Sequence, residues 1–206
     1  MRKGKRLIAW IMAVVMLFTI CVFDGNGTAE AAATTPVAKH GRLSVKGADL
    51  VDSKGNKFQL RGISTHGINW DVGSPYVNKK AFKTLRDDWG VNAIRLAMYT
   101  EEYNGYCSGG SQAKLRKLVD KGVGYATDLG MYAIIDWHIL SDGNPNKNKS
   151  QAKKFFTTMA KKYKNNKNVI YEICNEPNGC SWKEIKSYAT DIIKTIRKYD
   201  KKAVII

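Results

Sequence analysis

From Phe58 to the last residue, apolar extended runs alternate with helical patterns, and no other feature of the chain narrows its fold as far. The strand candidates are Phe58–Ser64, Asn92–Met98, Met131–Trp137, Val169–Cys174 and Ala203–Ile206. Between them, apolar residues fall at helical spacing over Lys79–Trp89, Gln112–Leu129, Ser150–Lys162 and Trp182–Tyr199, as with Tyr188, Ile192, Ile193 and Ile196. Gly90 and Gly130 sit where helices end. Strand and helix recurring at intervals of roughly thirty to forty residues predict parallel strands with crossover helices. That leaves an open doubly wound sheet or a (β/α)8 TIM barrel. The segment FQLRGISTHGINW lacks the GxGxxG spacing of a phosphate loop, which disfavours the dinucleotide-binding form of the open sheet. A barrel takes about 250 residues and eight strands, so an α/β barrel truncated within about the fifth strand is expected.

The N-terminus reads as a leader. A basic start, MRKGKR, precedes the apolar run LIAWIMAVVMLFTICVF and an alanine cluster at Ala29 to Ala33, the pattern of a secretory signal peptide over residues 1–33. An uncleaved anchor competes, since Leu7 to Phe23 is near the lower limit of ~17 residues for a membrane span; the alanines favour cleavage. The expected protein is secreted and extracellular, with no stable membrane insertion after cleavage, and residues 34–206 form the folded part. That part keeps a formal charge of +14 once Arg2, Lys3, Lys5, Arg6, Asp24 and Glu30 are removed from the total of +16. Most of the excess is lysine, as in NKNKSQAKKFFTTMAKKYKNNKN, and reads as a solvated helix face. No basic-aromatic ladder accompanies it, so nucleic acid is not an expected partner. Cys107, Cys174 and Cys180 remain after the leader. Spacing alone does not decide whether Cys107 and Cys180 pair, and no metal-ligand spacing appears, so neither metal nor cofactor is expected.

RLSVKGADLVDSKGNKFQL reads as a short hairpin turning at SKGN. In the later strands, side-chain alternation sorts Ile94, Leu96 and Met98 toward the helices and Arg95, Ala97 and Tyr99 toward the interior. It likewise places Ile134, Asp136 and His138 inside, with Ile170, Glu172, Cys174 and Glu176. Interior charge is costly unless paired or functional, and Arg95, Asp136 and Glu172 fit a buried ion network. Pro177 disfavours helix at Glu176, which predicts Glu176 as the last extended residue of its strand. His66, Tyr99, His138, Asn175 and Glu176 fall at the C-terminal ends of successive strands, the face where barrel enzymes build active sites.

The motifs RGISTHGINW, VNAIRLAMY, IIDWHILSD and VIYEICNEPNG, in this order from about Phe58 to the last residue, resemble those of glycoside hydrolase family 5, above all its bacterial endo-β-1,4-glucanases. The resemblance implies a retaining hydrolase of β-1,4-glucan, monomeric when full length, that uses two glutamates. Glu176 would be the general acid/base and Asn175 would bond the sugar 2-hydroxyl. Arg95 would hold the partner glutamate, while His66, Tyr99 and His138 would line the glycone subsites. Trp70 would be a stacking platform; Trp182 would stack on the aglycone side or simply pack the start of its helix. Retaining chemistry needs two carboxyl groups about 5–5.5 Å apart, the charged one favouring a proton on its neighbour.

The family's nucleophile belongs to a later strand than any in this sequence. Glu172 does not substitute, lying roughly 13 Å below Glu176 at strand rise. Glu101 and Glu102 read as solvated loop charges. The 206 residues alone are therefore expected to be inactive. Alternatives on the same fold are a mannanase, a xylanase, a mixed-linkage glucanase or a non-catalytic carbohydrate-binding relative.

Overall fold

The computed structural model describes residues 34–206, so the expected leader lies outside the described residues. A short helix, α1 (Pro36–His40), leads into the hairpin β1 (Ser44–Lys46) and β2 (Asp49–Val51). Then follow β3 (Gly62–Ser64), α2 (Lys79–Trp89), β4 (Ala93–Tyr99), α3 (Gln112–Asp128), β5 (Tyr132–His138), α4 (Lys149–Tyr163), β6 (Val169–Glu172), α5 (Trp182–Arg197) and β7 (Val204–Ile205). Strands β3 to β7 form one parallel sheet in sequence order, as the alternation predicts. Gly62 pairs with Ala93, Ala93 with Tyr132, Ala133 with Val169 and Ile170 with Val204.

Strand parity holds through β4 and β5. Ile94, Leu96, Met98, Ala133, Ile135 and Trp137 join Phe155, Phe156, Tyr188 and Ile192 in the main core between sheet and helices. Each fully buried large side chain there contributes about 2 kcal/mol through removal of apolar surface from water. On the other face, Ala93, Tyr132, Ile134, Ile170 and Val204 meet Leu43, with Val37, Leu50, Phe58 and Leu60 packed against them. The N-terminal segment is thus a floor under the strand starts. Tyr132 donates to the Gly41 carbonyl at 2.7 Å, and the Val37 N–H to the Gly130 carbonyl at 2.9 Å.

Three expectations change. The hairpin turns at Gly47-Ala48, one turn earlier than SKGN, because Gly47 adopts φ +63° at the first central position, as a type II′ turn requires. SKGN makes a second turn, held by Asp52, whose carboxylate accepts from the Lys54 and Asn56 N–H groups. The third strand is short: Asn92 takes up the Gln59 carbonyl and the Arg61 N–H with its side chain, so only Gly62–Ser64 pairs with β4. Finally, β6 stops at Glu172 rather than running to Glu176. Beyond it the Ile139 carbonyl, just past the neighbouring strand β5, accepts from the Asn175 side chain, and the Ile173 carbonyl from the Tyr188 hydroxyl. Side chains replace the backbone ladder on the β5 side, while the Ile173 N–H still donates to the Ile206 carbonyl at 2.8 Å on the β7 side, and Cys174 packs toward the helix side instead of the interior.

The helices start on side-chain caps where the sequence supplies them. Asn78 accepts from two N–H groups of α2, and Ser181 forms a capping box with Glu184 on α5. Asn148 precedes α4 yet makes no side-chain cap; its amide nitrogen donates to Glu101 and Asp142 instead.

Candidate active site

At the C-terminal ends of the strands, Arg95 of β4 is the hub. Its Nε and one terminal nitrogen reach the two oxygens of Glu172 at 2.7 and 2.5 Å. The same terminal nitrogen lies 2.9 Å from Asp136 and 2.8 Å from the Asn175 carbonyl oxygen. Among the described residues the other terminal nitrogen meets only the Ser64 hydroxyl, at 3.3 Å, so that edge of the fork has donor capacity to spare. Burial opposes the Arg95 charge, but the bond to Glu172 and the nearby Asp136 outweigh it and raise its pKa.

Asp136 is fully buried and binds His138 Nδ1 at 2.6 Å, while its second oxygen has no partner among the described residues. Burial pushes its carboxyl up to about 6, the His138 hydrogen bond opposes this, and the Glu172 charge adds to it. The folded chain therefore holds a proton that the unfolded chain releases. The stabilisation from that proton is complete below about pH 4 and is lost as pH rises through about 6. Relative to Asp136→Asn, which cannot titrate, the parent protein is expected to lose about 3 kcal/mol of stability across that window. Denaturant midpoints of the two proteins from pH 4 to 7 test this, and a constant gap between them would contradict it.

Beside this network runs a row of rings. His66 and Trp70 have centroids 5.1 Å apart, Trp70 and Tyr99 4.6 Å, and Tyr99 and His138 3.9 Å. Gly67 makes the packing possible, since a Cβ there would come 2.8 Å from the Trp70 ring and 2.9 Å from the Tyr99 ring. Trp70 is fixed at its other end by donating Nε1–H to the Tyr103 carbonyl at 2.8 Å. The Tyr99 hydroxyl has a raised pKa, from burial first and then from the charges of Glu102 and Asp136. A tilted aromatic wall of this kind suits the apolar faces of pyranose rings.

Glu176 is exposed and makes no side-chain hydrogen bond among the described residues. Its neighbour Asn175 is held on both sides, by Arg95 on its carbonyl oxygen and by the Ile139 carbonyl, 3.1 Å from its amide nitrogen. One amide hydrogen remains for a ligand. Trp182 stands apart from the row of rings, 73% exposed in the first turn of α5.

The loops behind the site are stitched together by residues that sequence reasoning passed over. Glu101 and Glu102 are not solvated charges. Glu101 accepts from Asn148 at 2.6 Å and Lys147 at 3.0 Å, and the Asn148 hydrogen bond lowers its pKa first. Glu102 accepts from both the N–H and the hydroxyl of Ser141. Buried Asp142 takes the Thr100 hydroxyl at 2.5 Å and the Asn148 amide at 3.0 Å. Nothing in the spacing of these residues marks the cross-loop pairs, which depend on how β4 and β5 are aligned. Cys107, Cys174 and Cys180 are free thiols, and burial pushes Cys107 and Cys174 up to about 12.

Parallel α/β architecture with charged and aromatic side chains gathered at the strand C-termini defines a TIM-barrel enzyme domain. Residues 51–206 match the family model described as Cellulase (glycosyl hydrolase family 5), and the chain belongs to that family. It is 52% identical to Endoglucanase A of Butyrivibrio fibrisolvens over 164 residues, covering 78% of this chain and 38% of that protein. Against an endoglucanase of Clostridium saccharobutylicum it is 50% identical, covering 98% of this chain and 44% of the other. Among solved structures, the catalytic domain of Thermobifida fusca endoglucanase Cel5A superposes with a TM-score of 0.74 at 42% identity, over 83% of this chain and 54% of that one. A variant of that domain has been solved in complex with cellotetraose. The chain thus spans less than half the length of these two sequence relatives.

Proposed function

We propose that this chain carries the acid/base half of a retaining endo-β-1,4-glucanase that cuts internal bonds of cellulose and related β-glucans. The observation that carries the proposal is the clamping of Asn175 between Arg95 and the Ile139 carbonyl, which sets the unengaged Glu176 at the mouth of the site. Glu176 donates a proton to the departing glycosidic oxygen, and the Asn175 amide hydrogen meets the sugar 2-hydroxyl. His66, Trp70, Tyr99 and His138 face the sugar rings on the glycone side.

Double displacement needs a second carboxylate about 5 Å from the acid. Glu172 is unsuited, because both of its oxygens are engaged by Arg95. The nucleophile is assigned to chain outside these 206 residues, where the spare edge of the Arg95 guanidinium would hold it ionised. Trp182 is assigned to the aglycone side. The same reading makes the protein secreted, its leader being residues 1–33, and monomeric when full length. The relatives named as endoglucanases and the cellotetraose complex support a β-glucan as substrate.

The test is release of reducing sugar by the full-length chain from carboxymethylcellulose, lichenan, mannan and xylan. Hydrolysis of the two glucans at least about tenfold faster than the other polymers is expected, since hydroxyls matched to the site discriminate strongly. Preference for mannan or xylan would overturn the substrate assignment.

A further inference from the structure

We propose that the surface beneath α4 and α5, at the opposite end of the sheet from Glu176, docks a carboxylated polysaccharide. Helices that follow parallel strands end at the strand starts, so the last turns of α4 and α5 and the loops after them share that end. The last turn of α4 carries Lys161 and Lys162, and its loop carries Lys164 and Lys167. The last turn of α5 carries Lys194 and Arg197, followed by Lys198, Lys201 and Lys202. The two groups are continuous: the Tyr199 ring has Lys161 at 5.0 Å and Lys198 at 5.7 Å from its centroid. Arg42, from the floor, reaches the Lys164 carbonyl at 3.5 Å.

Counter-charge is scarce here. Asp120 pairs with Lys162 at 2.7 Å and the buried Asp200 with Arg42 at 4.0 Å, which leaves Lys164, Lys167, Lys201 and Lys202 without a carboxylate partner among the described residues. Attraction to the helix dipole accounts for lysines in the last turns, at about 0.3–1 kcal/mol each, but it falls off within a turn and leaves the loop lysines unexplained. The neighbouring α3 shows that the fold does not demand them, since its last turn holds no basic residue. Crowded like charges oppose the compact state and draw anions from solution.

The chemistry of the cations selects the partner. Lysines are compact, strongly hydrated point charges on flexible stems, suited to single carboxylates along a polymer rather than to bidentate capture of one phosphate. Tyr199 is partly buried against the core, with two lysines at 5.0 and 5.7 Å from its ring centroid, so it is not a free stacking platform for a nucleic-acid base. Preference for a polysaccharide over other polyanions rests on the glucanase reading above. Attachment at this end leaves the catalytic mouth free.

Binding of the full-length chain to polygalacturonate, by affinity electrophoresis at about 20 mM and about 0.5 M salt, tests the proposal, because screening at the higher salt removes contacts between exposed charges. The combined variant Lys164→Gln, Lys167→Gln, Lys201→Gln and Lys202→Gln is expected to raise Kd by about tenfold or more, and a control with Lys80, Lys83, Lys117 and Lys121 changed to Gln by less than about twofold. Both are expected to keep glucan hydrolysis and to melt no lower than the parent, the first set somewhat higher because it relieves crowded like charge. Equal weakening by the two sets would overturn the proposal, as would tighter binding to duplex DNA or to phosphatidylglycerol vesicles than to polygalacturonate. A chain that binds polygalacturonate through this surface but cuts no glucan would refute the glucanase reading alone.

Discussion

Glu176→Gln in the full-length enzyme is expected to lower the rate on unactivated β-glucan by about 10²–10⁴-fold, the usual size of a general-acid contribution. The side chain keeps its volume and loses only its proton. Glu176 is exposed and free of hydrogen bonds among the described residues, so the substitution removes no contact that holds the fold. Stability is therefore expected to stay within about 0.5 kcal/mol of the parent, as for other surface changes. The Asn175 clamp and the ring row are untouched, so the KM for cello-oligosaccharides is expected to change little. A loss of rate accompanied by a large loss of stability would point to a structural role instead.

The second large effect is expected at Arg95. Replacing it with Met keeps much of the volume and deletes the cation that, among the described residues, faces Glu172, Asp136 and the Asn175 side-chain oxygen together. Two carboxylates then share an interior in which Asp136 is already fully buried and one of its oxygens is unpaired. Breaking a buried pair by removing one partner costs about 3–5 kcal/mol, mostly because of the charge left behind. Chemical denaturation of Arg95→Met reads this directly. Adding Glu172→Met is expected to recover part of the loss, since removing both members of a buried pair is often close to neutral. Activity does not return in the double variant, because Asn175 has still lost its anchor. A single variant as stable as its parent would show that the network does not carry the strand ends.

Much of this arrangement can be read from residue order. The alternation of apolar runs and helical patterns gives five parallel strands in sequence order, and parity places Arg95, Asp136 and Glu172 on one face of three neighbouring strands. Asp136 and Glu172 meet as register partners on adjacent strands, whereas Arg95 stands opposite Ile134, two residues lower, and reaches them through its long side chain. Legibility ends where side chains take over from the backbone ladder. The stop at Glu172 depends on Asn175 and Tyr188 capturing carbonyls across the fold, and Pro177 gives no hint of that. Likewise, Glu101 and Glu102 look like loop charges until the β4 and β5 loops are set side by side. The hairpin was visible as a hairpin, but its role as a floor depends on Leu43, Leu50 and Phe58 meeting strand starts far along the chain.

The central claim is that Glu176 protonates the departing sugar oxygen, and leaving-group dependence tests it most directly. In full-length Glu176→Gln, a dinitrophenyl β-cellobioside, whose leaving group needs no proton, is expected to release dinitrophenol in its first turnover at close to the parent rate, with only the later hydrolysis of the glycosyl-enzyme slowed, while cellotetraose cleavage collapses from the first turnover. Equal loss on both substrates, or undiminished cleavage of cellotetraose, would contradict the account.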